Sequence, residues 1–173
     1  MAGLDVVVTV GMGPFPFDRL LEALDPVCRV HHVFAQTGPS MVEPPCAHRA
    51  FLPPSELQAR LAAADVVVTH GGNTVRLVQR MGKVPIAVAR RARYGEMPND
   101  HQLAYLAAES ERGLVVVLDD VTDLEGAVTR HPAVEARVLA DRPRPPGVDR
   151  EAIATTLDAL ILPIAGRTVV TTR

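Results

Sequence analysis

Six short apolar runs, rich in β-branched residues, recur along the chain at 6–10, 30–35, 50–52, 66–69, 84–89 and 114–118. Runs of this kind, without polar alternation, suit strands buried on both faces. The segments between them repeat apolar residues at helical spacing. Phe17, Leu20, Leu21 and Leu24 share one face of a predicted helix over 17–24. Leu57 and Leu61 mark another over 55–63, which starts behind Pro53-Pro54. Residues 74–81, 101–111 and 123–128 follow the same habit. Strands alternating with helices predict an α/β fold, a Rossmann-like parallel sheet of about six strands with helices on both faces.

Turn residues mark the boundaries. Gly38-Pro39 through Pro44-Pro45 is a turn-rich loop, and the RPRPPG run at 142–147 is a proline-rich linker. Beyond it, 151–162 reads as one amphipathic helix, followed by a polar tail from Gly166. The expected organisation is therefore a Rossmann-like domain over 1–141 and a linker, helix and tail over 142–173. The apolar side of that last helix either completes the core or docks on a partner.

Composition narrows the classes. At 173 residues, with 47% hydrophobic and 22% charged residues, the chain is an ordinary globular one with room for a single domain. Eighteen basic residues against 20 acidic ones give a net charge of −2, so no basic excess advertises nucleic acid or anionic lipid. The apolar runs stop far short of the ~20 residues needed to cross a bilayer. Nothing at the N-terminus reads as a signal peptide. Cys28 and Cys46 stand alone in the sequence, so neither a zinc site nor a disulfide framework is indicated. A cytoplasmic, reduced chain is the expectation.

Candidate chemistry sits in three loops that follow strands, where ligands bind in open parallel sheets. Gly11-Met12-Gly13 comes directly after the first strand, and its glycines let backbone amides approach a phosphate. The full dinucleotide spacing is missing because Pro16 stands at the third glycine position, so a simple tight turn is the alternative. The run His70-Gly71-Gly72-Asn73-Thr74 leaves the fourth strand and opens a helix, which makes an anion cradle or an ordinary capped turn. Glu96 and the stretch Asp100-His101-Gln102 belong to a third polar loop. Asp and Gln there offer oriented acceptors and donors for sugar hydroxyls, or simply cap a helix. A flavin site is disfavoured: only Tyr94 and Tyr105, and no tryptophan, could stack on an isoalloxazine.

Together the segments VVVTVGMGPFPFDRLLEAL, FLPPSELQARLAAADVVVTHGGNT and MGKVPIAVARRARYGEMPNDHQLAYL resemble the C-terminal half of family 28 glycosyltransferases. The combination of an ADVVVTHGG strand–turn with a downstream GE…DHQ loop carries the resemblance. It is similar to the small subunits that hold only this half, and to the donor-binding half of the enzyme that adds N-acetylglucosamine in peptidoglycan synthesis.

The resemblance implies the C-terminal half of a GT-B fold that binds a nucleotide-diphospho-sugar, usually a UDP-sugar. It puts Gly11 and Gly13 near the phosphates, and Phe51 and Leu52 beside the nucleobase. His70, Gly71, Gly72 and Thr74 fall at the diphosphate. Asp100, His101 and Gln102 fall in the donor-sugar loop with Glu96. It implies no metal and no cofactor, the leaving diphosphate being held by amides and a helix dipole. An acidic residue that holds the ribose in relatives would fall at Leu77 or Val78, so either Asn73, four residues before Leu77, or backbone is the expected substitute. The implied activity is donor binding for a two-part inverting hexosyltransferase in polysaccharide or lipid-linked glycan synthesis. Its other half would be a separate, often membrane-anchored polypeptide that brings this chain to the inner membrane face. The acceptor base is expected on that partner, with His70 as this chain's own candidate. The alternative is a stand-alone nucleotide-binding or regulatory protein that kept the fold and lost transfer.

Overall fold

The computed structural model describes residues 3–141. The helix expected at 151–162 and its linker lie outside the described residues. Six strands form one all-parallel sheet: β1 (Asp5–Thr9), β2 (His32–Gln36), β3 (Ala47–Arg49), β4 (Val66–His70), β5 (Ile86–Val88) and β6 (Val116–Val117). Their spatial order is β3-β2-β1-β4-β5-β6, the doubly wound order in which the chain reverses direction between β1 and β4. The predicted Rossmann-like α/β class is the observed one.

The apolar runs are continuous because both faces are covered. Val6, Val8, Val66, Val68, Ile86 and Val88 pack with α1 (Asp18–Glu22), α2 (Asp25–Val30) and α6 (Leu124–Asp141). On the other face, Val7 and Val67 meet α3 (Pro54–Ala63) and α4 (Asn73–Arg80) through Leu61 and Val78. Ala87 on that face meets α4 through Val75 and α5 (His101–Glu111) through Leu106. A one-residue slip in register would exchange the two sets of contacts, so the strand pairing is tightly specified.

Three elements differ from the sequence expectation. Val30 ends α2 and is half exposed, so the second strand starts at His32 rather than at 30. Pro26 sits in the first turn of α2, where its missing N–H costs nothing. The third strand falls at Ala47–Arg49 rather than 50–52, and all three of its residues are exposed. As an edge strand it is fixed by backbone pairing to Phe34–Gln36 and carries no apolar signature. The last helix runs on to Asp141 through Pro132, well past the expected end at 128. Two side chains hold it there: the buried His131 donates Nε2–H to the Val84 carbonyl at 2.7 Å, and Glu135 accepts from the Val84 amide at 2.6 Å.

A buried polar network supports the loops at the carboxyl edge. Gln36 donates to the carbonyls of Gly11 (2.9 Å) and Ala50 (3.0 Å), and its Oε1 takes the Thr9 hydroxyl. Thr69 donates its hydroxyl to Thr9 O at 3.1 Å. Such a network, fully satisfied, fixes loop positions with little freedom. Among the described residues no helix is long and apolar enough to cross a membrane.

Candidate functional site

The loops after β1, β4 and β5 converge where the strand order reverses. Gly11 has φ +82°, a backbone conformation glycine adopts without cost, and it turns the chain sharply out of β1. The His70 ring fills the space this turn leaves. A Cβ at Gly11 would stand 2.6 Å from His70 Nε2, and one at Gly72 would stand 2.3 Å from His70 Cε1. Both glycines are needed so that the two turns can close around one imidazole. Gly71 is buried against Gln102 and Leu106, where a Cβ would come within 3.0 Å of the Gln102 side chain.

Two adjoining cavities open from His70. One of about 530 Å³ is lined by Gly71, Gly72, Asn73, Arg76, Met97, His101, Gln102 and Tyr105. The other, of about 200 Å³, reaches Gly13, Pro14, Phe15 and Arg90, and both share His70, Met97 and Gln102. The N-terminus of α4 points into this cleft, and no side chain caps it. The first amides of a helix lack intrahelical partners and carry partial positive charge, so an anion is favoured here. Arg76, stacked 5.7 Å over the Tyr105 ring, adds a cation to the same wall.

Hydrogen bonding fixes the His70 tautomer. Gln102 Oε1 accepts from the Arg90 amide at 3.1 Å, which turns the Gln102 NH₂ toward His70 Nδ1 at 3.3 Å. Nδ1 therefore accepts, and the proton sits on Nε2, beside Gly11. Burial, then the nearby Arg90 charge, pushes the His70 pKa down to about 4. His70 is thus a neutral hydrogen-bond donor. With Nδ1 occupied and Nε2 protonated, it has no open lone pair with which to act as an acceptor base.

A pH dependence follows. In the unfolded chain His70 takes up its proton near pH 6.5, in the folded chain only near 4. Between those values the unfolded state binds more protons, so stability complete above about 6.5 falls as pH drops toward 4. The buried His131, whose pKa is also lowered, acts in the same direction. His70 alone is expected to account for a loss of about 2–3 kcal/mol between pH 7 and 4.5. Urea unfolding at the two pH values checks this, because the His70→Gln variant should lose that part of the pH dependence. Equal losses in both proteins would contradict it.

The remaining residues expected at the site are divided. Gly13, His70, Gly71, Gly72, Asn73, His101 and Gln102 line the cleft, and Gly11 backs His70. Glu96 is buried and committed: Arg19 grips both its oxygens at 2.9 Å, and the Arg91 amide donates to Oε2 at 2.8 Å. Asp100 accepts from the Ala92 amide at 2.7 Å, and α5 is opened instead by Asn99 Oδ1 accepting from His101 N. These two carboxylates shape the loop. Thr74, Phe51 and Leu52 do not line either cavity, and Phe51 and Leu52 follow the edge strand β3. Leu77 packs against the α3 side of the core and Val78 is fully buried, so α4 faces the cleft through Asn73 and Arg76 instead. Arg76, Arg90, Met97 and Tyr105 are lining residues that sequence reasoning missed. Among the described residues no group of three or more His, Cys, Asp or Glu is placed to hold a metal ion.

No protein-family model matches the chain, and no curated protein sequence matches it. Among solved structures it is similar to CalG4, the calicheamicin glycosyltransferase, with a TM-score of 0.55 and 17% sequence identity. The match covers 94% of this chain and 44% of that one, so the chain spans less than half the length of this neighbour. At that identity the likeness is one of fold: this chain has a glycosyltransferase-like fold.

Proposed function

We propose that this chain is the donor-binding subunit of a two-part inverting glycosyltransferase, and that its donor is a nucleotide-diphospho-sugar of the UDP type. The observation that carries the reading is the convergence of two glycine turns and an uncapped helix N-terminus on one cleft at the sheet's reversal point. In this reading the amides of the HGG turn and α4 hold the diphosphate, the His70 Nε2–H donates to the cleft, and Asn73 meets the ribose. Arg76 and Arg90 make the surroundings positive, so the diphosphate is balanced without a metal ion or cofactor.

Acceptor and acceptor base come from a separate subunit of the same overall kind, anchored at the cytoplasmic membrane face. One feature supports a partner at this edge. Met12, Met41, Phe51 and Tyr94, exposed by 65%, 86%, 54% and 54%, stand on loops at or near the carboxyl ends of β1, β2, β3 and β5. An edge both apolar and polar suits a partner that closes over a bound donor.

Calorimetry with UDP, UDP-sugars, and GDP- and TDP-sugars tests the reading. Saturable binding of UDP-sugars, competed by UDP and indifferent to chelator, is expected, and the isolated chain should transfer no sugar. Absence of any nucleoside-diphosphate binding would overturn the donor assignment. Turnover by the chain alone would overturn the division of labour. A second reading, a nucleotide-binding regulatory protein, is favoured by one feature: α4 offers the cleft no carboxylate. Donor binding that no partner half ever converts to transfer would support it.

A further inference from the structure

On the α2 side of the sheet, the fold brings the two cysteines together. Cys28 lies on α2 and Cys46 just before β3, and the sequence between them gives no reason to pair them. Because β3 docks on β2 with Ala47 opposite Phe34, the residue ahead of Ala47 returns to the helix that precedes β2. Both thiols are free, half-buried and packed on the same core cluster. Both also line an open cavity of about 530 Å³ at the amino-terminal edge of β1 and β2, through which a small molecule reaches them. The two cysteines are separate in the sequence and share one cavity in the fold.

From this juxtaposition we infer that Cys28 and Cys46 form a modification site that reacts with a low-molecular-weight disulfide, such as glutathione disulfide, and closes to an intramolecular Cys28–Cys46 bond. Cys28 is the attacking sulfur. Burial raises both thiols, and Cys46 is pushed up to about 12, so Cys28 is the more readily ionised of the two. The Cys28 thiolate, its proton lost to solvent, attacks one sulfur of glutathione disulfide and releases one glutathione thiolate. Cys46 then gives up its proton and attacks Cys28 Sγ, forming the protein disulfide and releasing the second glutathione. Two protein thiols are oxidised and one glutathione disulfide is reduced to two thiols. Both protonated thiols react slowly, so closure takes place under sustained oxidation. The bond ties α2 to the exposed edge strand β3.

The test is mass measurement of the full chain after incubation with glutathione disulfide, denaturation and alkylation with N-ethylmaleimide. A product two hydrogens lighter with no alkylation is expected, and reduction should restore two alkylatable thiols. Cys46→Ser should stop at the glutathione adduct on Cys28. The closed form should melt about 5–10 °C higher, because the bond constrains the unfolded chain. Two alkylatable thiols surviving oxidation, a stable glutathione adduct on the wild-type chain, or covalent dimers would each overturn the inference. So would a closed form that melts no higher than the reduced one.

Discussion

Gly72→Ala is expected to weaken nucleoside-diphosphate binding by about 10- to 100-fold, roughly 1.4–2.8 kcal/mol, whereas Gly13→Ala leaves it within about twofold. The contrast is steric. At Gly72 the backbone is extended (φ −115°), so alanine's conformation is permitted there. Its methyl group, however, would lie 2.3 Å from His70 Cε1 and 3.0 Å from both ring nitrogens. The ring must swing away, breaking the Gln102 contact and moving its Nε2–H off the cleft. The methyl itself then occupies the space in front of the α4 amides. At Gly13, which lines the same cleft, an added Cβ meets nothing within 4 Å. Calorimetric titration of UDP into both variants decides the matter, with circular dichroism to show that each is folded. Undiminished affinity in a folded Gly72→Ala chain would mean that this turn does not hold the diphosphate.

These glycines were legible in the sequence because glycines directly after a buried strand mark a sharp turn, and the polar residues behind them mark a helix start. The central strands β1 and β4 were legible for a similar reason, since burial on both faces leaves an unbroken β-branched run. Where backbone pairing or remote contacts decide the structure, composition carries less. Ala47, His48 and Arg49 form a strand only because β2 offers them partners. Residues past Pro132 stay helical because His131 and Glu135 bond to Val84, more than 45 positions away. In the site, His70 could be picked out as a polar residue at a strand end, and Asn73 and Gln102 at helix starts, but their mutual orientation could not. Glu96 and Asp100 have the chemistry of ligand-binding carboxylates, and only the structure shows Arg19 and the Ala92 amide already using them. Arg90 gave no indication at all. One arginine after a strand is commonplace until four carbonyls are seen to converge on it.

Arg90→Met is expected to cost about 3–5 kcal/mol of stability and lower the melting temperature by roughly 10–20 °C. Arg90 is 3% exposed, and its guanidinium is the shared donor for three segments of chain. Nη1 donates to Phe15 O at 2.8 Å, to Pro16 O at 2.8 Å and to Glu96 O at 3.1 Å, and Nη2 donates to Val10 O at 2.8 Å. The plane also lies 4.7 Å from the Phe17 ring centroid. Methionine fills most of the volume and removes every donor, so carbonyls from the Gly11 turn and the Glu96 loop are left without partners in an enclosed place. Arg90→Lys keeps a charge and reaches fewer of these oxygens from one ammonium, so it should recover only part of the loss. A second consequence is electrostatic. The Arg90 charge helps hold the His70 pKa down, so in folded Arg90→Met chains His70 should titrate at higher pH than in the wild type. Urea midpoints measure the first effect and a histidine NMR titration the second. A methionine variant within about 1 kcal/mol of wild type would show that water satisfies those carbonyls as well as the arginine does. An unmoved His70 titration would show that burial alone keeps that ring neutral.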